Sequence, residues 1–347
     1  MNSELVRRLA EDGTLSDAGF AELLGTDAYD AALFAEADRV RRREYGDAVF
    51  LRGLIEVSSY CKNDCYYCGI RRSNKDASRY RLDEEDILAC CAAGHELGFR
   101  TFVLQGGEDP GFTDGKVVSV VSKIRNRWPD SAVTLSLGEK SRASYQAYFD
   151  AGAERYLLRH EAADRELYES LHPSFMSWEN RIRCLYDLRD IGYAVGAGMM
   201  VGPPRQTAAH LIADLRLLED LRPHMIGIGP YMTHSGTPFA GEPNGSLPMT
   251  LRLLAVLRLM FPQALIPATT ALGTIHPEGR EMGLKAGANV IMPNLSPADV
   301  RKKYLLYDNK ITAGPESAYN PSLLAARVEK AGYRVVLTRG DPKGWKE

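Results

Sequence analysis

The fold of this chain is indicated by residues 50–68, which read FLRGLIEVSSYCKNDCYYC. Residues 50–58 form a mostly apolar, β-prone run, and such a run predicts a buried strand. The three cysteines that follow, Cys61, Cys65 and Cys68, have the spacing C-x₃-C-x₂-C. Because this spacing places three thiols on one short loop directly after a strand, we expect them to converge on a single metal centre.

Seven further β-prone runs follow, and amphipathic helical stretches such as Asp83–Leu97 and Ser177–Ile191 separate them. The eight predicted strands are Phe50–Ser58, Thr101–Gln105, Ala132–Leu137, Arg155–His160, Ala194–Val201, Met225–Tyr231, Leu265–Thr270 and Asn289–Pro293. Strands that alternate with helices predict the α/β class and a parallel sheet with right-handed crossovers. Eight such units predict a complete (β/α)₈ barrel of the TIM type, with the cysteine loop on its active-site face.

The predicted barrel spans residues 49–300 and carries an extension at each end. Residues 1–48 are rich in helix formers, which predicts an N-terminal helical extension that caps the barrel. Residues 301–347 are expected to form a short C-terminal tail packing on the barrel. Within this tail, Pro321–Ala331 is a predicted helix, because Pro321 lies near its start and Gly332 just past its end.

The composition excludes several classes of function. The 347 residues include 43 Lys and Arg against 45 Asp and Glu, a net charge of −2, which argues against bulk binding to nucleic acid or anionic membranes. No run approaches the roughly 18 apolar residues of a membrane span, and the start of the chain lacks a secretory apolar region. Six cysteines are too few for a disulfide scaffold in a chain of this length, so a cytoplasmic location is expected.

The chemistry of the cysteine cluster favours iron and sulfur over zinc. A structural zinc site uses four protein ligands, and Cys90, Cys91 and Cys184 all fall inside predicted helices, where small buried thiols are typical. Three thiolates leave one iron of a [4Fe–4S] cube without a protein ligand, free to bind a cofactor or substrate. A structural zinc site remains the alternative interpretation.

The predicted fourth strand carries unusual polarity for a barrel interior. Because side chains alternate along a strand, Arg155, Arg159 and Glu161 share one face. Charged groups at such positions are costly unless they are paired or bind a ligand, since barrel interiors are normally apolar. One interpretation is an internal salt-bridge network with Glu56 of the first strand. A compatible one is a polar cavity whose threonines and arginines bind a compact anionic substrate.

The cysteine spacing on the first βα loop resembles the radical S-adenosylmethionine (SAM) superfamily. The resemblance implies one [4Fe–4S] cluster with three catalytic ligands, Cys61, Cys65 and Cys68, at which one electron cleaves SAM to a 5′-deoxyadenosyl radical. It also implies that Tyr67 lies beside the adenine of SAM. The segment Gly106-Gly107-Glu108 closes the second strand and resembles the motif that receives the SAM amino group in this superfamily.

Longer segments resemble the HydE family of [FeFe]-hydrogenase maturases. These segments are Gln105–Pro110, Thr134–Glu139, Arg155–Glu161, Gly198–Gly202, Ile266–Ala271 and Asn289–Asn294. The resemblance implies SAM contacts at Ser136, Glu161 and Arg181, and a catalytic role for Arg159. It implies substrate or anion contacts at Thr134, Arg155, Arg159, Thr269, Thr270, Tyr304 and Tyr307.

The HydE resemblance further implies a reaction and its partners. The radical attacks the cysteine sulfur of a small iron–carbonyl–cyanide–cysteine complex, which a partner maturase supplies during assembly of the diiron cofactor. An electron donor such as a flavodoxin or ferredoxin is expected. Some relatives hold a second cluster with extra cysteines, but the tail here contains no cysteine, so a single cluster is expected.

Two alternatives remain open at this point. The first is a radical SAM mutase that resembles methylornithine synthase and acts on lysine or another small amino acid. Such an enzyme should present an acidic group to the ε-amine of its substrate. The second is a non-enzymatic iron–sulfur or zinc carrier, which would not explain why the Gly-Gly-Glu strand and a polar barrel accompany the three cysteines.

Overall fold

The computed structural model describes residues 4–314 and 317–345. Its helices are α1 (Glu4–Asp12), α2 (Asp17–Gly25), α3 (Asp30–Tyr45), α4 (Glu84–Glu96), α5 (Asp114–Arg127), α6 (Arg142–Asp150), α7 (Arg165–Leu171), α8 (Trp178–Ile191), α9 (Ala208–Leu221), α10 (Leu247–Met260), α11 (Thr270–Ile275), α12 (Gly279–Lys285), α13 (Ala298–Arg301) and α14 (Pro321–Lys330). Its strands are β1 (Ala48–Leu51), β2 (Gly53–Ser58), β3 (Thr101–Gly106), β4 (Ala132–Ser136), β5 (Ala153–Leu157), β6 (Ala194–Ala197), β7 (Met200–Val201), β8 (Met225–Ile226), β9 (Gly229–Pro230), β10 (Val290–Ile291) and β11 (Arg334–Val336).

The strands follow one another round a barrel. Hydrogen-bonded neighbours run in the order β2-β3-β4-β5-β6-β8, and every ladder between them is parallel. Four parallel residue pairings continue this order and return to the first strands: Met225–Leu265, Pro267–Val290, Phe50–Val290 and Leu54–Asn294. The predicted α/β fold of the TIM-barrel type is therefore confirmed. The core lies between the strands and the surrounding helices, where apolar side chains such as Val57 and Leu104 are fully buried.

Several predicted strands are interrupted. The predicted strand at 50–58 is divided into β1 and β2, and those at 194–201 and 225–231 are also divided in two. Gly198 separates β6 from β7 with φ +147°, and a Cβ there would lie 2.0 Å from the carbonyl oxygen of Gly227. Two neighbouring strands therefore approach each other more closely than side chains allow. At 265–270 the described backbone makes isolated bridges at Leu265 and Pro267, and Thr270 already begins α11.

The N-terminal helices pack on the outside of the barrel. Arg252 of α10 donates to both carboxylate oxygens of Asp30, at 2.6 and 3.0 Å, and Asp30 is the first residue of α3. The buried Arg41 of α3 donates to the carbonyl oxygens of Ala48 and Ala288, at 2.8 and 2.9 Å. These bonds attach α3 to β1 and to the segment before β10. Within the described residues, no helix is long and apolar enough to cross a membrane.

The last part of the C-terminal tail, from β11 onward, covers the amino end of the barrel. Helix α14 confirms the helix predicted near 321–331, and β11, which was not predicted, pairs in parallel with β1. Beyond β11, the carbonyl oxygen of Arg339 accepts hydrogen bonds from Thr101 and Arg155, each at 2.8 Å. The last two residues, 346 and 347, lie outside the described part of the chain.

Candidate active site

A cavity of about 360 Å³ opens at the carboxyl ends of the barrel strands, next to the loop that carries the three cysteines. Most of the residues that the sequence analysis singled out line this cavity. They are Cys61, Cys65, Tyr67, Cys68, Gly106, Gly107, Glu108, Ser136, Arg159, Glu161, Arg181, Thr269, Thr270, Tyr304 and Tyr307. They come from the loop after β2, the ends of β3 and β4, the segment after β5, helix α8, the start of α11 and the tail. The barrel therefore brings together groups that are up to 246 positions apart in the chain, from Cys61 to Tyr307.

The cysteine loop is held mainly by backbone hydrogen bonds. The amide of Lys62 donates to the carbonyl of Glu108 (2.9 Å), and the amide of Tyr66 donates to that of Leu171 (3.0 Å). Arg79, which the sequence analysis missed, donates to four carbonyl oxygens around the loop, those of Ser59, Ile70, Arg71 and Asn74. A guanidinium with five donors can bind several carbonyls in one plane. Arg79 therefore fixes the loop without occupying the cavity.

The three thiols are free and partly buried, and their chemistry fits an iron–sulfur cluster. Burial raises the pKa of all three thiols, and it raises that of Cys68 to about 12. Neighbouring thiolates raise the pKa of Cys65 further. Three buried thiolates therefore need a strongly cationic partner, and the irons of a [4Fe–4S] cluster provide one. Cys90, Cys91 and Cys184 are buried in α4 and α8 and do not line the cavity.

The Gly-Gly-Glu segment at the end of β3 packs directly against the cysteine loop. A Cβ on Gly107 would lie 2.2 Å from the carbonyl oxygen of Tyr60 and 2.8 Å from the Cβ of Cys61. The carboxylate of Glu108 accepts from the amide of Glu139 (2.9 Å) and lies 3.2 Å from the ammonium of Lys62. The absence of a side chain at position 107 thus lets the strand end and the loop form one surface.

Tyr67 is oriented by a histidine that the sequence analysis did not single out. Nδ1 of His172 lies 2.8 Å from the carbonyl oxygen of Tyr168, and its Nε2 lies 3.0 Å from the hydroxyl of Tyr67. Burial, with the charge of Arg181, lowers the pKa of His172 to about 3, so the ring is neutral at neutral pH. Because a carbonyl oxygen only accepts, Nδ1 carries the proton, and Nε2 accepts from Tyr67.

Arg181 and Arg159 form a charged wall on one side of the cavity. Arg181 is the fourth residue of α8, and it donates to Glu139 and to the carbonyl oxygen of Arg159, both at 2.6 Å. Burial acts against the charge of Arg181, but the negative groups around it raise its pKa overall. Nη2 of Arg159 lies 2.9 Å from Glu161, whose backbone has φ +66°. This left-handed backbone occurs four residues after the end of β5, where the Glu161 side chain lines the cavity.

The opposite wall contains a buried ion pair. The carboxylate of Glu56 in β2 contacts the ammonium of Lys310 at 2.5 Å and accepts a hydrogen bond from the side-chain amide of Asn294 at 2.8 Å. The hypothesis of a network between Glu56 and the barrel arginines is therefore wrong, because the partner of Glu56 comes from the tail. Lys310 belongs to the residues that the sequence analysis missed, since no local pattern connects position 310 with position 56.

The structure places two predicted substrate contacts, Thr134 and Arg155, outside this cavity. Arg155 is fully buried near the amino end of the barrel and donates to Asp341 at 2.6 Å and to the carbonyl oxygen of Arg339 at 2.8 Å. Thr134 is paired with Arg155 in the ladder between β4 and β5, so it lies at the same depth. Both point inward as predicted, but they lie below the layer that lines the cavity.

A barrel whose first βα loop carries three free cysteines at this spacing, beside a Gly-Gly-Glu strand end, defines the class of radical SAM enzymes. A family model described as the radical SAM superfamily matches residues 55–218. This chain belongs to that superfamily, whose members use a [4Fe–4S] cluster and SAM. Two buried polar atoms of residues that line the cavity, the hydroxyl of Thr269 and Nε of Arg159, have no hydrogen-bond partner among the described residues.

Among curated proteins, the chain is similar to a hydrogenase maturase subunit and to 3-methylornithine synthases. It is 45% identical over 303 residues to the [FeFe] hydrogenase maturase subunit HydE of Thermotoga maritima, an alignment that covers 87% of this chain and 84% of that relative. It is 30% identical over 296 residues to the 3-methylornithine synthase of Methanosarcina acetivorans, covering 84% and 83% of the two chains.

Solved structures share the whole fold. The crystal structure of methylornithine synthase (PylB) superposes with a TM-score of 0.84 at 28% identity, covering 96% of this chain and 97% of that one. HydG, a maturase of the [FeFe]-hydrogenase, superposes with a TM-score of 0.82 at 20% identity, covering 97% and 76%. The second likeness demonstrates a common fold alone.

Proposed function

We propose that this radical SAM enzyme is a HydE-type maturase of [FeFe]-hydrogenase. The observation that carries the proposal is the 45% identity to HydE over 87% of the chain, against 30% to the 3-methylornithine synthase. The proposed substrate is a small iron–carbonyl–cyanide–cysteine complex from a partner maturase, and the proposed electron donor is a flavodoxin or ferredoxin. We propose that the chain holds one cluster and acts in the cytoplasm.

We propose the following roles for the residues that line the cavity. Cys61, Cys65 and Cys68 would hold the cluster. Tyr67, Gly106, Gly107, Glu108, Ser136, Glu161 and Arg181 would hold SAM. When bound, these cofactors would supply a 5′-deoxyadenosyl radical for reaction at the cysteine sulfur of the substrate.

The cavity chemistry suits a compact anionic substrate. Arg159 and Thr269 both line the cavity, and each has a buried donor, Nε of Arg159 and the hydroxyl of Thr269, without a hydrogen-bond partner among the described residues. Arg280 of α12 lines the same cavity and donates to the hydroxyl of Thr270 at 3.1 Å. Charge-assisted hydrogen bonds from such groups bind anions more strongly than neutral pairs do. Tyr304 and Tyr307 would complete the substrate wall from the tail.

A methylornithine synthase-like mutase is the second candidate, and the TM-score of 0.84 to PylB favours it. A lysine substrate needs a carboxylate for its side-chain ammonium. The carboxylates that line this cavity already have cationic partners: Glu56 contacts Lys310, Glu108 contacts Lys62, and Glu161 contacts Arg159. This pairing supports the maturase over the mutase.

The test is hydrogenase maturation from purified components, with this chain in place of an established HydE. We expect active hydrogenase that depends on SAM and is abolished by Cys65→Ser. The matched control is Cys90→Ala, which removes a buried thiol outside the cavity and should retain maturation. Formation of 5′-deoxyadenosine without hydrogenase activation, and with lysine consumed, would move the assignment to the mutase.

A further inference from the structure

The ion pair between Glu56 and Lys310 is almost completely enclosed in the cavity wall. The side chain of Glu56 is 1% exposed and that of Lys310 is 8% exposed, and both residues line the cavity. Lys310 also donates to the carbonyl oxygen of Tyr304 at 2.8 Å, and its ammonium lies 4.8 Å from the centre of the Tyr304 ring. Asn294 occupies the second carboxylate oxygen of Glu56 at 2.8 Å.

Lys310 and Asn294 each contact one carboxylate oxygen of Glu56, which would otherwise be available to bind a ligand in the cavity. A buried charge is strongly disfavoured without a partner of opposite sign, so an unpaired Glu56 would recruit a cation from the cavity. A primary ammonium is the group that a carboxylate in such a position binds best. Lys310 of the tail supplies that ammonium from the protein itself, because it lies next to Glu56 of β2.

We propose that Lys310 determines substrate specificity by neutralising Glu56, so that the cavity rejects substrates with a side-chain ammonium and accepts compact anionic or neutral ones. This inference rests on the proposed function, because it names the device that separates a maturase-type cavity from one that binds a diamino acid. Specificity of this kind comes from an interaction that is withheld from the wrong substrate as much as from contacts to the right one.

The test uses three amino acids of similar length that differ in the charge at the end of the side chain. They are L-lysine, L-norleucine and L-2-aminoadipate, which end in an ammonium, a methyl group and a carboxylate. Binding is measured by anaerobic calorimetry on reconstituted enzyme with SAM. The variants are Lys310→Met, Glu56→Gln and the double variant, each checked for iron content and melting temperature.

Removal of either partner should expose the charge of the other. We expect Lys310→Met to bind L-lysine at least about tenfold more tightly than the wild type does, since one hydrogen bond to a charged group has this magnitude. We expect Glu56→Gln to gain at least about tenfold for L-2-aminoadipate, for the same reason. The double variant should show neither gain, and L-norleucine binding should stay within about twofold throughout.

The outcomes are decisive even if one variant is unstable. If Lys310→Met folds with full iron content and binds L-lysine no more tightly than the wild type, the inference is overturned. If it does not fold, Glu56→Gln decides the matter through L-2-aminoadipate. A wild-type enzyme that prefers L-lysine over L-norleucine also overturns it. Failure of the proposed function is seen separately, because it is measured as hydrogenase maturation by the wild-type chain.

Discussion

Gly107→Ala tests whether contact between the strand end and the cysteine loop controls SAM cleavage. The new Cβ would lie 2.2 Å from the Tyr60 carbonyl oxygen, and real Cβ contacts stay above 3.0 Å, so the two segments must separate by about 0.8 Å or more. The same Cβ would lie 2.8 Å from the Cβ of Cys61, so the separation acts on the part of the loop that carries this cysteine. A displacement of about 1 Å at a reacting centre costs on the order of 10²-fold in rate.

The assay is the rate of 5′-deoxyadenosine formation from SAM under reduction, with iron content measured on the same sample. We expect a loss of about 10²-fold for Gly107→Ala. The control is Gly115→Ala in α5, where an added Cβ meets nothing within 4 Å and the rate should be unchanged. If Gly107→Ala cleaved SAM at the wild-type rate with full iron content, the reasoning from this contact would be refuted.

Three further predictions concern groups around and below the cavity. Burial and the charge of Arg181 lower the pKa of His172 to about 3, whereas its pKa in the unfolded chain is about 6.5. The contribution of His172 to the free energy of unfolding is therefore present above pH 6.5 and is lost as the pH falls toward 3. Between pH 6.5 and pH 5, the wild type should lose about 2 kcal/mol of its free energy of unfolding through His172, and His172→Gln should not show this loss. Urea unfolding at both pH values measures the difference, and an unchanged pH dependence in the variant would contradict the assignment. Asp341→Ala removes the 2.6 Å partner of the buried Arg155 and should cost about 1–3 kcal/mol in urea unfolding. SAM cleavage per folded molecule should not change, because this pair lies at the amino end of the barrel, and a selective loss of cleavage would argue for a role in the reaction. Arg159→Ala should impair maturation while iron content stays at the wild-type value, and loss of iron would show that Arg159 supports the cluster instead.

The cysteine loop and the Gly-Gly-Glu strand end could be predicted because their chemistry is local. Eight residues, Cys61 to Cys68, contain all three cysteines of the C-x₃-C-x₂-C spacing, and the strand before them is marked by its apolar run. The same holds for the alternation of strands and helices, which depends on periodicities of a few residues. Tyr67 and Gly107 were found because these local motifs resemble those of a known superfamily, and both residues line the cavity.

The depth of a residue inside the barrel could not be predicted in this way. Alternation along the predicted strand places Arg155, Leu157 and Arg159 on one inward face. In the structure, however, Arg155 lies within β5, whereas Arg159 lies two residues beyond the end of this strand. One arginine therefore lines the cavity, and the other pairs with Asp341 near the amino end. The alternation of side chains along a strand predicts which face of the sheet a residue lies on, but it does not predict where the neighbouring strands end.

The amino-acid sequence by itself determined the class of fold and the short loop that carries Cys61, Cys65 and Cys68, because these depend on periodicity and spacing along one strand or loop. The resemblance to a known family pointed to most of the residues that surround this loop. Only the tertiary structure decided which charges meet. Lys310 reaches Glu56 across 254 positions, and His172 reaches Tyr67 across 105. Such pairs form because a buried charge or hydroxyl must find a partner wherever the packed chain supplies one. After these pairs have formed, Arg159 and Thr269 are left as cavity-lining residues with an unpaired donor among the described residues. The periodicity of the sequence does not predict which donors remain unpaired.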